Sequence, residues 1–156
     1  MNAPGAPRPI PRGFGFADCF ACGPDNSRGL RLVFERDGDT VVSRYTADAA
    51  LGGYGTILHG GLTSTLLDEA MAWAVYGLLD KLPLTTELRV RFVAPVHTGE
   101  PLTIIGRIIS SDGRGAQARA QLRSADGQLC AEAEGHLRFI SAAAAARLSR
   151  AGLGTP

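Results

Sequence analysis

Leu58-His59-Gly60-Gly61 is followed without a break by Leu62-Thr63-Ser64-Thr65-Leu66-Leu67-Asp68-Glu69-Ala70-Met71-Ala72-Trp73-Ala74-Val75-Tyr76-Gly77-Leu78-Leu79, and this stretch decides how the rest of the chain is read. From Leu62 to Leu79 there is no proline, and almost every residue is apolar or small. At helical spacing one face takes Leu62, Leu66, Ala70, Trp73 and Gly77, and the next takes Leu67, Met71, Ala74 and Leu78. A helix that is apolar nearly all round is a buried helix. Asp68 and Glu69 stand in its middle, where ionised carboxylates are costly unless they are paired or put to use. That conflict is the strongest functional signal in the chain.

Outward from this helix the period changes from 3.6 to 2. Upstream, Leu30-Arg31-Leu32-Val33-Phe34 reads as a strand, and Asp37-Gly38-Asp39 turns the chain back into Val41–Tyr45. A Gly-rich loop, 47–57, leads into the helix. Downstream, Lys81-Leu82-Pro83 reads as a stop signal. Thr86 to Phe92 then alternates, with Leu88, Val90 and Phe92 on one face and Glu87, Arg89 and Arg91 on the other. Leu102–Ser110, Ala116–Arg123 and Leu129–Phe139 follow as strands, separated by turns at Asp112–Gly115 and Asp126-Gly127. Alternation of this kind is what an antiparallel sheet with one covered face requires. The order predicts an α+β fold in which an antiparallel sheet wraps one long central helix, with a second subunit helping to cover it.

The flanks read differently. Residues 1–16, with Pro4, Pro7, Pro9 and Pro11, read as a loose arm, 17–141 as the folded domain, and 142–156 as an Ala-rich tail, a surface helix or a frayed end. A chain of 156 residues is long enough for one domain with a sizeable core. Its net charge of +1 comes with no basic stripe, so no nucleic-acid partner is expected. No membrane partner is expected either, since a charge at the middle of a bilayer-spanning helix costs about 2.5–3.5 kcal/mol or more. The N-terminus shows no apolar core of a secretory signal, so the cytoplasm is the expected location.

Three cysteines do not suggest a disulfide framework. Cys19-x-x-Cys22 has the spacing of half a zinc site, but structural zinc takes four ligands. Cys130 and three scattered histidines supply no second pair. No metal and no cofactor is expected, and the two thiols read as small side chains packing a turn.

Taken together, Cys19-Phe20-Ala21-Cys22-Gly23 with Asn26 and Gly29-Leu30, His59-Gly60-Gly61, Leu67-Asp68-Glu69-Ala70-Met71, Thr86-Glu87-Leu88 through Phe92, and Pro95-Val96 resemble the PaaI-like branch of hotdog acyl-CoA thioesterases. The resemblance runs from about residue 17 to 140. It implies the hotdog fold, acyl-CoA substrates, no metal, and homodimers or homotetramers with active sites between subunits. Asp68, nine residues after His59, falls where that family carries its catalytic carboxylate. The family also implies that Gly61 polarises the thioester oxygen, that the acid comes from the facing subunit, that His59 positions the loop, and that Thr85, ten residues before Pro95, holds the attacking water. One position departs from the pattern. Several relatives carry Asn or Gln six residues before the histidine, and here that residue is Gly53.

The chemistry fits these residue types. Water attacking a thioester needs a base, or a carboxylate that attacks first. The oxyanion needs donors, and the first turn of a helix offers unpaired N–H groups. Gly60 and Gly61 leave the backbone open to a ligand there, and Gly53 lines the approach. Competing readings are a buried Asp68 satisfied by Ser64 or Thr65, a Glu69 salt-bridged to Arg89 or Arg91, and an ordinary strand threonine at Thr85. Arg89, Arg91, His97 and Arg119 are candidates for CoA phosphates but read better as a solvated strand face. Trp73, Tyr76, Tyr54 and Phe92 would suit an aromatic or medium-chain acyl group, or a core. Beside the thioesterase reading stand a hydratase or dehydratase on the same fold and a non-catalytic acyl-CoA binding module.

Overall fold

The expected helix forms as α1, Gly60–Leu79, 20 residues and so about 30 Å long. It starts where His59 caps it: the ring Nδ1 accepts the Gly61 N–H at 3.0 Å. It stops at Asp80, which turns left-handed (φ 53°) while its N–H reaches the Tyr76 carbonyl. The computed structural model describes residues 6–13 and 17–151.

Among the described residues seven antiparallel strands form one sheet: β1 (Arg8–Pro9), β2 (Glu35–Asp37), β3 (Thr40–Thr46), β4 (Leu82–Phe92), β5 (Pro101–Ser111), β6 (Gly115–Arg123) and β7 (Leu129–Ile140), in spatial order β1-β2-β3-β5-β6-β7-β4. Strands β3 to β7 all pack against α1. The face they turn to it is apolar and, in the centre, small: Leu102 and Ile104 of β5, Ala116, Ala118, Ala120 and Leu122 of β6, and Ala131 and Ala133 of β7 are buried. Gly106 of β5 is the point of closest approach, since a Cβ there would stand 2.2 Å from the Ala70 carbonyl oxygen of α1. The opposite face is charged. Glu132 pairs with Arg91 and with Arg119 (3.2 Å), and Arg119 also reaches Glu134 at 3.7 Å. Arg91 beside Glu132 holds that carboxyl below the usual range.

The architecture predicted from the alternation is the one observed, with differences at the edges. Leu30–Phe34 is not a strand. Arg31 is left-handed (φ 53°) and breaks the ladder, and Leu30 and Leu32 donate instead to the carbonyls of Phe20 and Ala21. Pairing begins only at Glu35, although Leu30, Leu32 and Phe34 are buried as alternation requires. Strand β4 begins at Leu82, not Thr86, and runs straight through Pro83. Proline is tolerated there because β4 is an edge strand, paired only to β7. Of the arm expected at 1–16, residues 1–5 and 14–16 lie outside the described residues. The part between them is docked: Arg8–Pro9 pairs with β2, Ile10 donates to Phe34, and Arg12 reaches the Leu32 carbonyl. In the tail, Ala142–Ala151 forms a second helix, α2. Among the described residues no helix is long and apolar enough to cross a membrane.

Candidate active site

The loop before α1 is held by its own backbone. Asp48 caps a single 3-10 turn at Ala49–Leu51, accepting from the Ala50 N–H at 2.8 Å. Gly53 N–H then reaches Ile57 O, His59 N–H reaches Leu51 O, and Leu58 N–H reaches Val96 O. His59 is therefore pinned at both backbone and ring. A Cβ on Gly53 would lie 3.5 Å from His59 Cα, in ordinary contact, so Gly53 borders the histidine. The Gly61 amide, expected to face a ligand, is engaged by the His59 ring. Beside this helix start is a cavity of about 320 Å³ lined by Ile57, Leu58, Gly60, Thr63, Phe92 and Val96, among others.

Asp68 does not line that cavity. It is half-buried on α1, and its Oδ1 accepts a 2.8 Å hydrogen bond from the Thr85 hydroxyl of β4. Burial raises its carboxyl above the usual range, and the Thr85 hydroxyl pulls it partly back. Ser64 and Thr65, the hydroxyls considered for it, donate instead to the carbonyls of Gly60 and Gly61 one turn back. Asp68 stands seven residues beyond Gly61, about 10 Å along the axis.

Thr85 reaches Asp68 only because β4 is bulged. Strict alternation would place Thr85 on the outer face with Glu87, Arg89 and Arg91, but the register shifts between Thr85 and Glu87. The extra residue turns Thr85 inward, while Leu88, Val90 and Phe92 share the helix face with Gly135, Ala133 and Ala131. Leu84, Leu88 and Phe92 stay exposed on this edge strand, Phe92 by 57%.

Glu69, about 100° round the helix from Asp68, points to the 17–23 loop. It pairs with neither Arg89 nor Arg91: its Oε1 accepts the Trp73 indole N–H at 3.0 Å and lies 3.8 Å from Cys19 Sγ. Arg91 is taken up by Glu132 on the opposite face. Burial pushes the Glu69 carboxyl up to about 7. Alternation and helical period carry no signal for a loop, so this cluster was invisible in the sequence beyond the Cys19–Cys22 spacing. Among the other candidates, His97 Nδ1 meets Thr56 Oγ1 at 3.1 Å, Trp73 is buried against Phe34, and Tyr54 is 88% exposed.

Residues 55–131 match the Thioesterase superfamily. An uncharacterized protein of Schizosaccharomyces pombe is 31% identical over 65% of this chain and 61% of its own length. A protein of Saccharolobus solfataricus, provisionally named an esterase, is 36% identical over 52% and 54% respectively. The chain thus spans less than two thirds of the curated relatives it matches. The crystal structure of a thioesterase superfamily protein superposes with a TM-score of 0.72, at 31% identity, over 80% of this chain and 61% of that one. The Escherichia coli PaaI protein from the phenylacetic acid degradation operon shares the fold at a TM-score of 0.66 and 18% identity, over 72% and 81% of the two chains. So does a Streptococcus mutans protein solved bound to acetyl-CoA, at 0.62 and 16%, over 66% and 82%.

Proposed function

Residues 55–131 belong to the thioesterase superfamily, and from that premise we propose that the protein hydrolyses an acyl-CoA to a free acid and CoA. The observation that carries the reading is Asp68. It is a half-buried carboxylate held by one hydroxyl, and among the described residues the ion pairs involve Glu35, Glu132 and Glu134 instead. Such a group is left basic and positioned. It takes the proton of a water that Thr85 helps to hold, the water oxygen bonds to the thioester carbon, and the C–S bond breaks as the CoA sulfur leaves with a proton. The same geometry serves direct attack by the carboxylate followed by hydrolysis of the anhydride. The Gly61 N–H turns from the His59 ring to the carbonyl oxygen, or is shared with it, as negative charge builds there. His59 acts by holding this amide, not as a base. The acetyl-CoA complex of the S. mutans protein supports a CoA ester as the ligand class of this fold.

The separation of about 10 Å along the axis between Gly61 and Asp68 supports a site shared by two chains. The second copy joins at β4, whose outer edge is unpaired, which carries exposed Leu84, Leu88 and Phe92, and whose Phe92 end borders the helix-start cavity. Oligomers mixed from Asp68→Asn and Gly61→Val chains are expected to recover part of the wild-type turnover that neither variant has alone. No recovery, with mixed oligomers demonstrated by mass, would remove the shared site.

Thr85→Val keeps the shape of the side chain and removes the donor to Asp68. A loss of about 1–3 kcal/mol in stability and about 10-fold or more in kcat is expected, read by thermal melting and steady-state kinetics. The whole reading is tested by incubating the protein with short, long and aromatic acyl-CoAs and an enoyl-CoA in the presence of a thiol reagent. Thiol release from saturated esters is the expected result. Hydration of the enoyl ester without thiol release would favour the hydratase reading. Tight binding without either reaction would favour a binding module, for which Gly53, in place of a polar side chain, is the supporting feature.

A further inference from the structure

We propose that Cys19, Cys22 and Glu69 form a site for a divalent, thiolate-accepting metal ion such as zinc, which ties the 17–32 loop to helix α1. Their ligand atoms, brought from a loop and a helix 50 residues apart, all lie within 4.8 Å of one another. The 3.8 Å between Cys19 Sγ and Glu69 Oε1 is close to the roughly 3.5 Å that tetrahedral zinc with ordinary Zn–S and Zn–O lengths sets between a sulfur and an oxygen. Two thiolates and a carboxylate leave a fourth position, and Cys19 is only half-buried, so water can fill it.

The loop is shaped to present sulfur. The turn closes with the Gly23 N–H on the Cys19 carbonyl at 2.8 Å, and the backbone N–H groups of Ala21 and Cys22 donate to Cys19 Sγ. Amides aimed at a sulfur favour its thiolate, the form that binds metal. Residue 23 has to be glycine, since a Cβ there would stand 2.5 Å from Ala17 O, Cys19 N and Cys19 O. Trp73 then fixes the third ligand, its indole N–H holding the Glu69 carboxylate from within the helix. A bond from a neighbour that orients a ligand is the usual support of a metal site.

The cluster also lacks a counter-charge. Three acidic groups crowd together, and among the described residues no ion pair involves Glu69. The hydrogen bond from Cys22 favours the Cys19 thiolate, and the same bond pushes the Cys22 thiol up. A dication displaces the shared protons and neutralises the group. The sequence holds no second Cys or His pair at ligand spacing. The third ligand is instead a carboxylate that only the fold brings near.

The test is a cobalt titration of the reduced, metal-stripped full chain, with thiol content checked by mass. One Co²⁺ per chain is expected, with a thiolate-to-cobalt charge-transfer band that one equivalent of Zn²⁺ abolishes. Cys22→Ser should lose the band and Glu69→Gln should weaken binding by about 10-fold or more, while Cys130→Ser leaves it unchanged. Circular dichroism confirms folding, and Glu69→Gln keeps the Trp73 bond, so its result stands apart from any unfolding of Cys22→Ser. No band from the reduced chain, or an equal band and affinity from Cys22→Ser or Glu69→Gln, overturns the proposal.

Discussion

Asp68→Asn is expected to lower kcat for acyl-CoA hydrolysis by about 10² or more while the fold persists. The substitution separates charge from shape. Asn keeps an Oδ1 that accepts the Thr85 hydroxyl, so the 2.8 Å contact between α1 and β4 survives. It cannot take a proton from water or attack a carbonyl, so the chemistry does not survive. Stability should move the other way. Burial raises the Asp68 carboxyl, which means that the ionised form is the strained one in the folded chain. Replacing it with a neutral amide removes that cost at neutral pH, and Tm should stay level or rise. The measurement is steady-state thiol release beside a thermal melt. A drop in kcat accompanied by a drop in Tm would mean that the variant damages packing. Unchanged kcat would remove Asp68 from the chemistry altogether.

Gly106→Ala carries the largest expected effect on stability. The added Cβ would meet backbone, not a movable side chain: the Ala70 carbonyl oxygen at 2.2 Å and its carbon at 2.7 Å. Neither can turn aside, so α1 must lift from the sheet or β5 must bend. Overpacking of a tight core costs about 1–3 kcal/mol, and a backbone clash belongs at the top of that range. For a chain of this size 3 kcal/mol is about 6–12 °C in Tm. Gly113→Ala is the control, since a Cβ there meets nothing within 4 Å, and its effect should stay within about 0.5 kcal/mol. Equal melting of the two variants would mean that α1 and β5 are less closely packed than Gly106 implies.

The helix and the four strands after it were legible because each states its environment in its own period. Ala116–Arg123 alternates without a fault and was found within a residue of its ends. Where the reading slipped, one residue broke a period. Arg31, left-handed, ended a pairing that Leu30, Leu32 and Phe34 otherwise announce. Pro83 read as a stop because a proline excludes a central strand, and nothing in the sequence says that β4 lies at an edge. The candidate site was legible by parts. Asp68 announced itself as a charge inside an apolar helix, and His59 as a residue before a helix. That Thr85 meets Asp68 depends on a bulge, which alternation cannot show. Glu69, followed in sequence by a sheet that carries several arginines, reads as half of an ion pair. Those arginines face the other side of the sheet, with Glu132 and Glu134.

The hollow of the sheet is already full. Leu66, Leu67, Ala70 and Met71 occupy it with no surface left exposed. On the proposed reading the acyl group therefore lies along the rim, beside Phe92 and the start of α1. Preference for one guest over another is then written on the rim, in residues whose replacement leaves the core untouched. Such a scaffold can change its diet without having to learn again how to fold.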